Sequence, residues 1–430
     1  MAQIRGFKGW LYNKEKIKDF STVITPPNDV ISEKERIEFA EEKFNFVHLI
    51  LPQQDGDKYE NASKLFKRWK EEGILVRDKD DTIYVYSQSF SFMGKEFSRL
   101  GFIALMKLEE LGKGMLAHEK VLEKDLQDRI SLISTTRSNL EIPFILYDDR
   151  QKVIDEVIKN SIRDKHPHIK FTDHKGVTHI LWKVTDLQVC NKLSDEMAKY
   201  QCVIADGHHR YTSNLKVSEM LKSEGANFAL LCFINSFNEG TLIMPTNRVI
   251  FGLDDPDINE ILNKLKRNFK IEEVGKDHLI RKIDAVEVMI DKTINLKNHV
   301  FGVYCNLNKK AYFLTLKNNS VLEHRLADKT DIYRKLDITI LHKLIIEDIL
   351  GITEEQQKRR EHIDFVRGNE ETWQTIEEND LQFAFFVKPP LMREVFLIAR
   401  AGETTPQKTT CFYPKVFSGL VVYDFEDFPK

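Results

Sequence analysis

Short apolar runs alternate with charged, helix-like segments along most of the chain, and this alternation limits the folds that the chain can adopt. β-type runs lie at residues 82–86, 102–106, 142–147, 179–184 and 202–205, and helical patterns lie between and after them. The sequence contains no internal repeat and no low-complexity tract. The pattern predicts a mixed α/β or α+β protein.

The length of the chain predicts more than one compact unit. It has 430 residues, whereas a domain typically has roughly 150. Hydrophobic residues make up 42% and charged residues 30%, which is enough apolar material for real cores. We expect a composite core at residues 1–255, which carries the N-terminal, H-E-K and D-G-H-H-R motifs. A C-terminal α/β region at residues 256–430 would end in a Lys/Thr-rich loop that returns to the site.

The charge balance gives no reason to expect a nucleic-acid partner. Lys and Arg total 64 against 67 Asp and Glu, so the formal net charge is -3. No apolar run approaches the roughly 18–20 residues needed to cross a bilayer, and the first ten residues lack the core of a secretory signal. We therefore expect a cytosolic protein with a small-molecule ligand and no membrane partner. The five scattered cysteines never form C-x-x-C, which indicates small buried hydrophobes rather than disulfides or a zinc site.

Three local patterns make definite structural predictions. The run FVHLILP at 46–52 is typical of a buried strand. The two β-rich runs between Phe228 and Phe251 flank the turn-like NSFNEG and predict a hairpin. An amphipathic pattern predicts a helix that begins near Tyr333 and is ended by Gly351.

The string CVIADGHHRYTSNL predicts a strand that ends at Asp206, a turn at Gly207 and a helix after it. His208, His209 and Arg210 would occupy the first helical turn, where the macrodipole disfavours positive charge by roughly 0.3–1 kcal/mol per group. Helix-start N–H groups bind phosphate, Gly207 allows close approach, and Arg210 offers a bidentate fork. The pattern therefore predicts a phosphate or carboxylate site.

A second interpretation of the same string needs no ligand. Asp206 would cap the helix and pair with Arg210, while His208 and His209 are solvated. Because adjacent histidines diverge on a helix, a dinuclear metal pair is not favoured.

The string HEKVLEKDLQDR at 118–129 concentrates acidic residues. Glu119 is a candidate general base, and Asp125 and Asp128 are candidate ligands of Mg²⁺. The alternative is a solvated, charged helix face.

The string AGETTPQKTTCFYPK at 401–415 offers hydroxyl and ammonium donors on a chain stiffened by two prolines. Lys408, Thr409 and Lys415 are the candidate phosphate-binding residues. The alternative is an ordered terminal loop without a ligand.

Five strings together resemble the family known as domain of unknown function 1015. They are, in order, ITPPNDVIS, LAHEKVLEKDLQDRISLISTTRSNLEIPFILYD, ADGHHRYTSNL, PTNR and TPQKTTCFYPKVFSGLV. The D-G-H-H-R string is also similar to the one in free serine kinases and ParB-like regulators with the sulfiredoxin-type fold. The resemblance implies a ParB/sulfiredoxin-like core and a nucleotide site on residues 206–210, and the PTNR string adds Arg248 as a candidate phosphate-binding residue.

Two positions depart from the family's pattern. Asn28 stands where the family has tyrosine, and Asn247 stands where it has histidine. If that histidine carries a proton, this chain has reduced or altered chemistry. If it only donates a hydrogen bond, the amide of Asn247 can replace it.

The motifs lead to three functional hypotheses. The first is a kinase that uses ADP or ATP with Mg²⁺ on a small hydroxyl metabolite, of which a serine-like compound is the simplest choice by resemblance. Arg210 with Lys408 or Lys415 would clamp phosphate, Asp206 or Glu119 would act as base or Mg²⁺ ligand, and the histidines would orient phosphate or acceptor. The second hypothesis is a regulatory protein that binds a nucleotide without turnover, and the third is a phosphatase.

Overall fold

The computed structural model describes residues 2–53, 56–92, 94–121, 123–285, 298–406 and 408–428, with only the backbone of residues 124 and 125. The strands are β1 (Ile4–Arg5), β2 (Trp10–Tyr12), β3 (Leu75–Arg77), β4 (Ile83–Phe92), β5 (Lys95–Lys107), β6 (Met115–Leu116), β7 (Ser138–Asn139), β8 (Phe144–Tyr147), β9 (Ile169–Thr172), β10 (Thr178–Val184), β11 (Cys202–Asp206), β12 (Phe228–Asn235), β13 (Leu242–Ile243), β14 (Thr246–Ile250), β15 (Phe269–Val274), β16 (Val300–Cys305), β17 (Lys310–Leu316), β18 (Ile363–Arg367), β19 (Phe383–Val387), β20 (Phe412–Tyr413) and β21 (Tyr423–Asp424). The helices are α1 (Glu33–Ala40), α2 (Val47–Ile50), α3 (Lys58–Glu71), α4 (Glu123–Thr136), α5 (Val153–Ile162), α6 (Leu187–Met197), α7 (His208–Leu221), α8 (Ile258–Asn268), α9 (Lys276–Ala285), α10 (Asp331–Arg334), α11 (Asp337–Ile340), α12 (Glu354–Arg359), α13 (Asn369–Glu378) and α14 (Met392–Arg400).

Strands and helices alternate, so the mixed α/β class predicted from the sequence is confirmed.

The chain divides into two compact units. The first comprises Met1–Ala117, Val121–Leu242 and Phe412–Lys430, and the second comprises His118–Lys120 and Ile243–Cys411. The boundary that the sequence suggested near Pro256 lies inside the second unit, because β14 pairs with two strands of that unit.

The first unit is built on a nine-stranded mixed sheet. Its strand order is β6-β11-β8-β12-β5-β4-β10-β9, and β1 pairs with β5. The β11–β6 and β12–β8 pairs are parallel and the other pairs are antiparallel. Because side chains alternate along a strand, Phe102, Ala104 and Met106 of β5 enter one core with Ile145 and Phe233 of neighbouring strands. Helix α4 packs on α3 and on α7 in the same unit.

The second unit is built on a six-stranded antiparallel sheet with the order β15-β17-β16-β19-β14-β18. Alternate residues of β16 enter cores on opposite faces of the sheet. Phe301 and Val303 contribute to one core, and Val300 and Tyr304 contribute to the other. The sheet is therefore covered on both faces.

The buried strand predicted for FVHLILP is wrong, because residues 47–50 form the short helix α2. The side-chain oxygen of Asn45 accepts a hydrogen bond from the N–H of Val47 and starts the helical turn. A short apolar run has no periodicity that separates a buried helix from a buried strand.

The predicted hairpin between Phe228 and Phe251 is also wrong. Strand β12 pairs with β5 and β8, whereas β14 pairs with β18 and β19. The turn-rich string indicates a change of direction, but it does not determine which strands pair.

The single helix predicted from Tyr333 is broken. Helix α10 ends at Arg334, Leu336 is extended, and α11 is followed by a π-helical segment at Leu341–Glu347. Gly351 has φ +74° and follows the helical segment, as predicted.

All five cysteines are free thiols, and four of them are buried. None of the described helices is both long and apolar enough to cross a lipid bilayer.

Candidate functional site

The turn between β11 and α7 places a glycine at the start of a helix. Strand β11 ends at Asp206, Gly207 is the N-cap, and α7 begins at His208. Gly207 has φ +91°, which a residue with Cβ rarely adopts. A Cβ there would also lie 3.0 Å from Nε of Arg210 and 3.1 Å from Cβ of Pro143. The predicted strand, turn and helix are confirmed, and both conditions require glycine.

The two carboxylate oxygens of Asp206 each bind a cation. Oδ2 accepts a hydrogen bond from Nη2 of Arg210 at 2.6 Å, and Oδ1 accepts one from Nζ of Lys415 at 2.5 Å. The same Arg210 nitrogen lies 3.5 Å from Oδ1 of Asp29. Burial alone would lower the pKa of Arg210, but the carboxylates of Asp206 and Asp29 raise it above its ordinary value.

The ligand-free interpretation is therefore right about the Asp206–Arg210 pair. It did not include Lys415, and Gly207 rather than Asp206 occupies the N-cap position. Arg210 is only 5% exposed, so its guanidinium belongs to the interior of the unit rather than to solvent.

The two histidines differ in environment. His208 is 4% exposed, and burial lowers its pKa to about 3, so its imidazole is neutral at pH 7. His209 is partly exposed. The expectation of three positive groups in the first turn is wrong for His208, and so is the expectation that both histidines are solvated.

The N-terminal motif joins the same cluster of charges. Asp29 approaches Arg210, and the neighbouring backbone N–H of Asn28 donates to Oε1 of Glu141 at 3.1 Å. The other oxygen of Glu141 accepts from Nη1 of Arg129 at 2.7 Å, and both side chains are buried. Because Asn28 contributes its backbone here, the replacement of tyrosine leaves this contact intact.

The charged network continues to the first turn of α3. Oδ2 of Asp128 accepts from Nε of Arg129 at 2.9 Å, and Oδ1 accepts from Nζ of Lys58 and the hydroxyl of Tyr59, each at 2.8 Å. Burial opposes ionisation of Asp128, but Arg129 and Lys58 hold its pKa well below the ordinary value. Three of the five motif strings thus meet in one ionic network of the first unit, and Lys415 of the last string binds Asp206.

A cavity of about 530 Å³ opens beside this network. This volume lies in the range of small-molecule sites. Six of its eight lining residues are polar or charged, and the lining consists of Glu33, Arg36, Leu51, Pro52, Gln53, Lys58, Asp128 and Arg129. Arg129 also lines a second, much smaller cavity, together with Arg210.

Asp128 does not suit the predicted role of Mg²⁺ ligand. Both of its oxygens already accept hydrogen bonds from cations, and Mg²⁺ would have to displace them. Among the described residues no group of three or more His, Cys, Asp or Glu side chains could hold a metal ion. The side chain of Asp125 lies outside the described residues, so its role stays a prediction.

The other predicted site residues form a separate cluster in the second unit. The backbone N–H of Lys408 donates to Oε1 of Glu119 at 3.3 Å, and its carbonyl accepts from Nη2 of Arg248 at 3.4 Å. The hydroxyl of Thr409 donates to the carbonyl of Pro406 at 2.6 Å. Lys408 joins this cluster through its backbone, so the structure gives no support for its ammonium group as a clamp.

Arg248 is buried in the same cluster. Its Nε donates to Nε2 of His342 at 3.0 Å, and its guanidinium carbon lies 5.1 Å from the ring centre of Phe365. Burial lowers the pKa of His342 to about 3, so the imidazole is a neutral acceptor. Its Nδ1 donates to Oε1 of Gln357 at 2.6 Å. The phosphate-binding role of Arg248 stays a prediction.

Asn247 acts as a hydrogen-bonding residue in the fold. It is fully buried, and its amide nitrogen reaches the carbonyl of Gly368, Oδ1 of Asn369 and the hydroxyl of Thr372 at 2.9–3.3 Å. Its amide oxygen accepts from the N–H of Val387 at 3.1 Å. This arrangement favours the second of the two interpretations, in which the amide substitutes for a hydrogen-bonding histidine.

Sequence reasoning missed several residues around the Asp206 cluster. Glu141 and Lys58 complete the ion pairs of the network, and Gln88 and Arg99 bind the backbone before and at Lys415. Gln88 and Arg99 could have been noticed as polar residues in otherwise strand-like runs. The sequence gives no such signal for Glu141 and Lys58.

The fold and these contacts define a mixed α/β protein with an ionic site at a strand–helix turn. The sequence matches the family described as "Protein of unknown function (DUF1015)" over residues 4–339, and the chain belongs to that family. The resemblance drawn from the five strings is confirmed. A search among curated proteins gave no significant match.

Several solved structures are similar to this chain at low identity. A conserved hypothetical protein from Pyrococcus furiosus is 16% identical, with a TM-score of 0.34, and the match covers 74% of this chain and 95% of that one. A mutant free serine kinase in complex with ADP is 14% identical, with a TM-score of 0.35 and coverage of 70% and 84%. A C-terminally truncated SbnI from Staphylococcus aureus is 11% identical, with a TM-score of 0.33 and coverage of 74% and 85%. TM-scores this low transfer no residue role, and the ParB/sulfiredoxin-like core stays a prediction.

Proposed function

We propose that this chain is a nucleotide-dependent phosphotransferase that acts on a small hydroxyl metabolite. A serine-like compound is the first candidate, because of the resemblance of the D-G-H-H-R motif. One observation carries the proposal: Arg210 and Lys415 bind the two oxygens of Asp206 at the start of α7. Phosphoryl transfer needs mainly positioning and charge neutralisation, and this cluster supplies both.

The nucleotide phosphates would bind at the first turn of α7. The N–H groups of a helix start attract anions, and Gly207 has no side chain to keep a phosphate away from the backbone. Arg210 offers a planar fork and Lys415 a compact charge. Phosphate oxygens would compete with Asp206 for these two cations.

Asp206 would receive the proton of the acceptor hydroxyl. The acceptor oxygen forms a bond to phosphorus, the bond from phosphorus to the leaving phosphate oxygen breaks, and that oxygen keeps the electron pair. Arg210 and Lys415 neutralise the negative charge on the phosphate oxygens. ADP and ATP are the candidate donors. Mg²⁺ would supply further charge neutralisation when bound with the nucleotide, but Asp128 does not fit as its ligand and no step depends on it.

The cavity of about 530 Å³ is the candidate acceptor site. Its lining offers both acidic and basic groups, including Lys58 and Glu33, which suits a small polar metabolite. Arg129 lines this cavity and, with Arg210, the smaller one beside it.

Binding without turnover is the second candidate function. Both oxygens of Asp206 engage cations, which stabilises the ionised carboxylate and weakens it as a general base. A protein with this site could hold a nucleotide and signal its presence without transferring a phosphoryl group.

Phosphorus NMR separates these functions. The protein is mixed with Mg²⁺, ATP or ADP, and a panel of hydroxyl metabolites that includes serine, and nucleotide-dependent thermal stabilisation is measured in parallel. A phosphorylated acceptor supports the kinase. Stabilisation without a product supports the sensor, and release of inorganic phosphate without an acceptor indicates a phosphatase. A folded protein that neither binds nor consumes a nucleotide contradicts both proposed functions.

A further inference from the structure

Arg99 is a buried cation whose hydrogen bonds all go to neutral oxygens. It lies on β5 and is 1% exposed. Its Nε and Nη2 donate to Oε1 of Gln88 at 2.9 and 2.5 Å. Among the described residues no carboxylate forms a hydrogen bond or an ion pair with it. Burial lowers the pKa of Arg99 to about 10, so the guanidinium stays charged at pH 7.

The remaining hydrogen bonds of Arg99 go to the backbone just before Lys415. Nη1 donates to the carbonyl of Tyr413 at 3.4 Å, and Nη2 donates to the carbonyl of Pro414 at 2.5 Å. Gln88 continues the pattern, because its Nε2 donates to the carbonyl of Lys415 at 2.8 Å. Three consecutive carbonyls are therefore held by two side chains.

Gln88 and Arg99 form a single rigid support. They lie directly opposite each other on the antiparallel strands β4 and β5. The guanidinium carbon of Arg99 also lies 4.7 Å from the ring centre of Phe144, on β8. Charged donors make stronger hydrogen bonds than neutral donors, and a buried charge without them would be costly. An apolar side chain at position 99 would pack without that cost, but it could not hold the carbonyls of residues 413 and 414.

We propose that Arg99 and Gln88 are positioning residues that place the ammonium of Lys415 on Asp206. The backbone of residues 413–415 is held by this pair, and from there the Lys415 side chain reaches Oδ1 of Asp206. The inference rests on the proposed function only where it concerns the nucleotide. The position of Lys415 can be measured without a ligand.

The first test is the acylation rate of Lys415, measured by mass spectrometry with a small amine-reactive ester. Lys415 is 13% exposed and paired, whereas Lys113 is 72% exposed and serves as an internal reference. In the wild type we expect Lys415 to react about tenfold or more slowly than Lys113, because both ammonium groups pair with a carboxylate but only that of Lys415 is shielded from the reagent by burial. In Arg99→Met we expect the Lys415 rate to rise about fivefold or more with Lys113 unchanged, and in Arg99→Lys to rise less, because one charge remains without the fork.

Two further variants separate positioning from general loosening. Phe102→Leu weakens the core on the other face of the same strand, where Phe102 packs against Phe233 and Tyr147, so the Lys415 rate should stay at the wild-type value. Gln88→Met removes the bond to the Lys415 carbonyl and provides the test if Arg99→Met does not fold. An unchanged Lys415 rate in a folded Arg99 or Gln88 variant would overturn the inference. An equal rise in Phe102→Leu would overturn it too.

The second test links the inference to the proposed site. Arg99→Met should weaken ADP binding about tenfold in the wild-type background and have little effect in a Lys415→Gln background, because both changes remove the same ammonium. Equal effects in the two backgrounds would contradict the positioning role. If the wild type binds no ADP, the proposed function fails while the acylation rates still decide the position of Lys415.

Discussion

Nζ of Lys415 lies 2.5 Å from Oδ1 of Asp206, although 209 positions separate the two residues in the sequence. Arg210, one helical turn after Asp206, holds the other oxygen at 2.6 Å. The C-terminal segment from Phe412 belongs to the same compact unit as β11 and α7. The ionic site is thus assembled from a local strand–helix motif and a distant segment of chain.

Asp206→Asn should separate nucleotide binding from turnover. The neutral amide no longer competes with phosphate for Arg210 and Lys415, so we expect ADP to bind about three- to tenfold more tightly, or about 0.7–1.4 kcal/mol. Transfer to a hydroxyl acceptor should be lost, because the proton acceptor is gone. Titration calorimetry and phosphorus NMR measure the two effects. Weaker ADP binding together with full turnover would contradict the roles given to Asp206.

Gly207→Ala should destabilise the first unit and disturb Arg210. The substitution forces a left-handed backbone on a residue with Cβ and presses on the guanidinium, since the new atom would lie 3.0 Å from Nε. Gly112→Ala is the matched control, because Gly112 has φ +97° and an added Cβ there would meet no described atom within 4 Å. We expect Gly207→Ala to lose about 1–2 kcal/mol more unfolding free energy than Gly112→Ala in urea denaturation. Equal losses would show that the close approach has no energetic effect.

His208 should make the protein less stable in mild acid. Burial lowers its folded pKa to about 3, below the ordinary value of 6.5, so the unfolded state takes up the proton first as the pH falls. His208 therefore does not reduce the free energy of unfolding above pH 6.5, and this free energy falls progressively as the pH drops from 6.5 to 3. His208→Asn should reduce the slope of unfolding free energy against pH by about 1.4 kcal/mol per pH unit between pH 4 and 6. An unchanged slope in urea titrations would contradict the buried, neutral state of His208.

Asn247→Ala should destabilise the second unit. The change leaves the buried N–H of Val387 without its acceptor and removes the amide donor to the hydroxyl of Thr372, which keeps its own bond to the carbonyl of Gly368. We expect a loss of about 2–4 kcal/mol in unfolding free energy. Asn259→Ala, at an exposed position on α8, is the control and should cost much less. Similar losses at the two positions would mean that the buried amide contributes little.

The local part of the site could be predicted from the sequence. An apolar strand followed by Asp206, Gly207 and a helical pattern fixes the turn, because each step depends only on neighbouring residues. Helix α3 and the paired strands β16 and β17 were also predictable, from strong helical spacing and from β-rich runs around a turn.

The distant part of the site could not be predicted in this way. No local pattern relates Lys415 to Asp206 or Arg99 to Pro414, because such contacts arise only when the sheet has formed. The burial that makes His208 neutral is also a tertiary property. The helix at Val47–Ile50 was missed for a different reason, since a run of four to seven apolar residues suits a buried strand and a buried helix equally.

The most direct test compares ADP binding by calorimetry in the wild type, Lys415→Gln and Lys113→Gln. The account requires that the wild type binds ADP and that Lys415→Gln binds about ten- to a hundredfold more weakly, since a charged hydrogen bond contributes about 1.5–3 kcal/mol. Lys113→Gln removes an exposed ammonium that pairs only with Glu110 among the described carboxylates, and its affinity should equal that of the wild type. No measurable binding by the folded wild type, or equal affinities in all three proteins, would contradict a phosphate site at Asp206, Arg210 and Lys415.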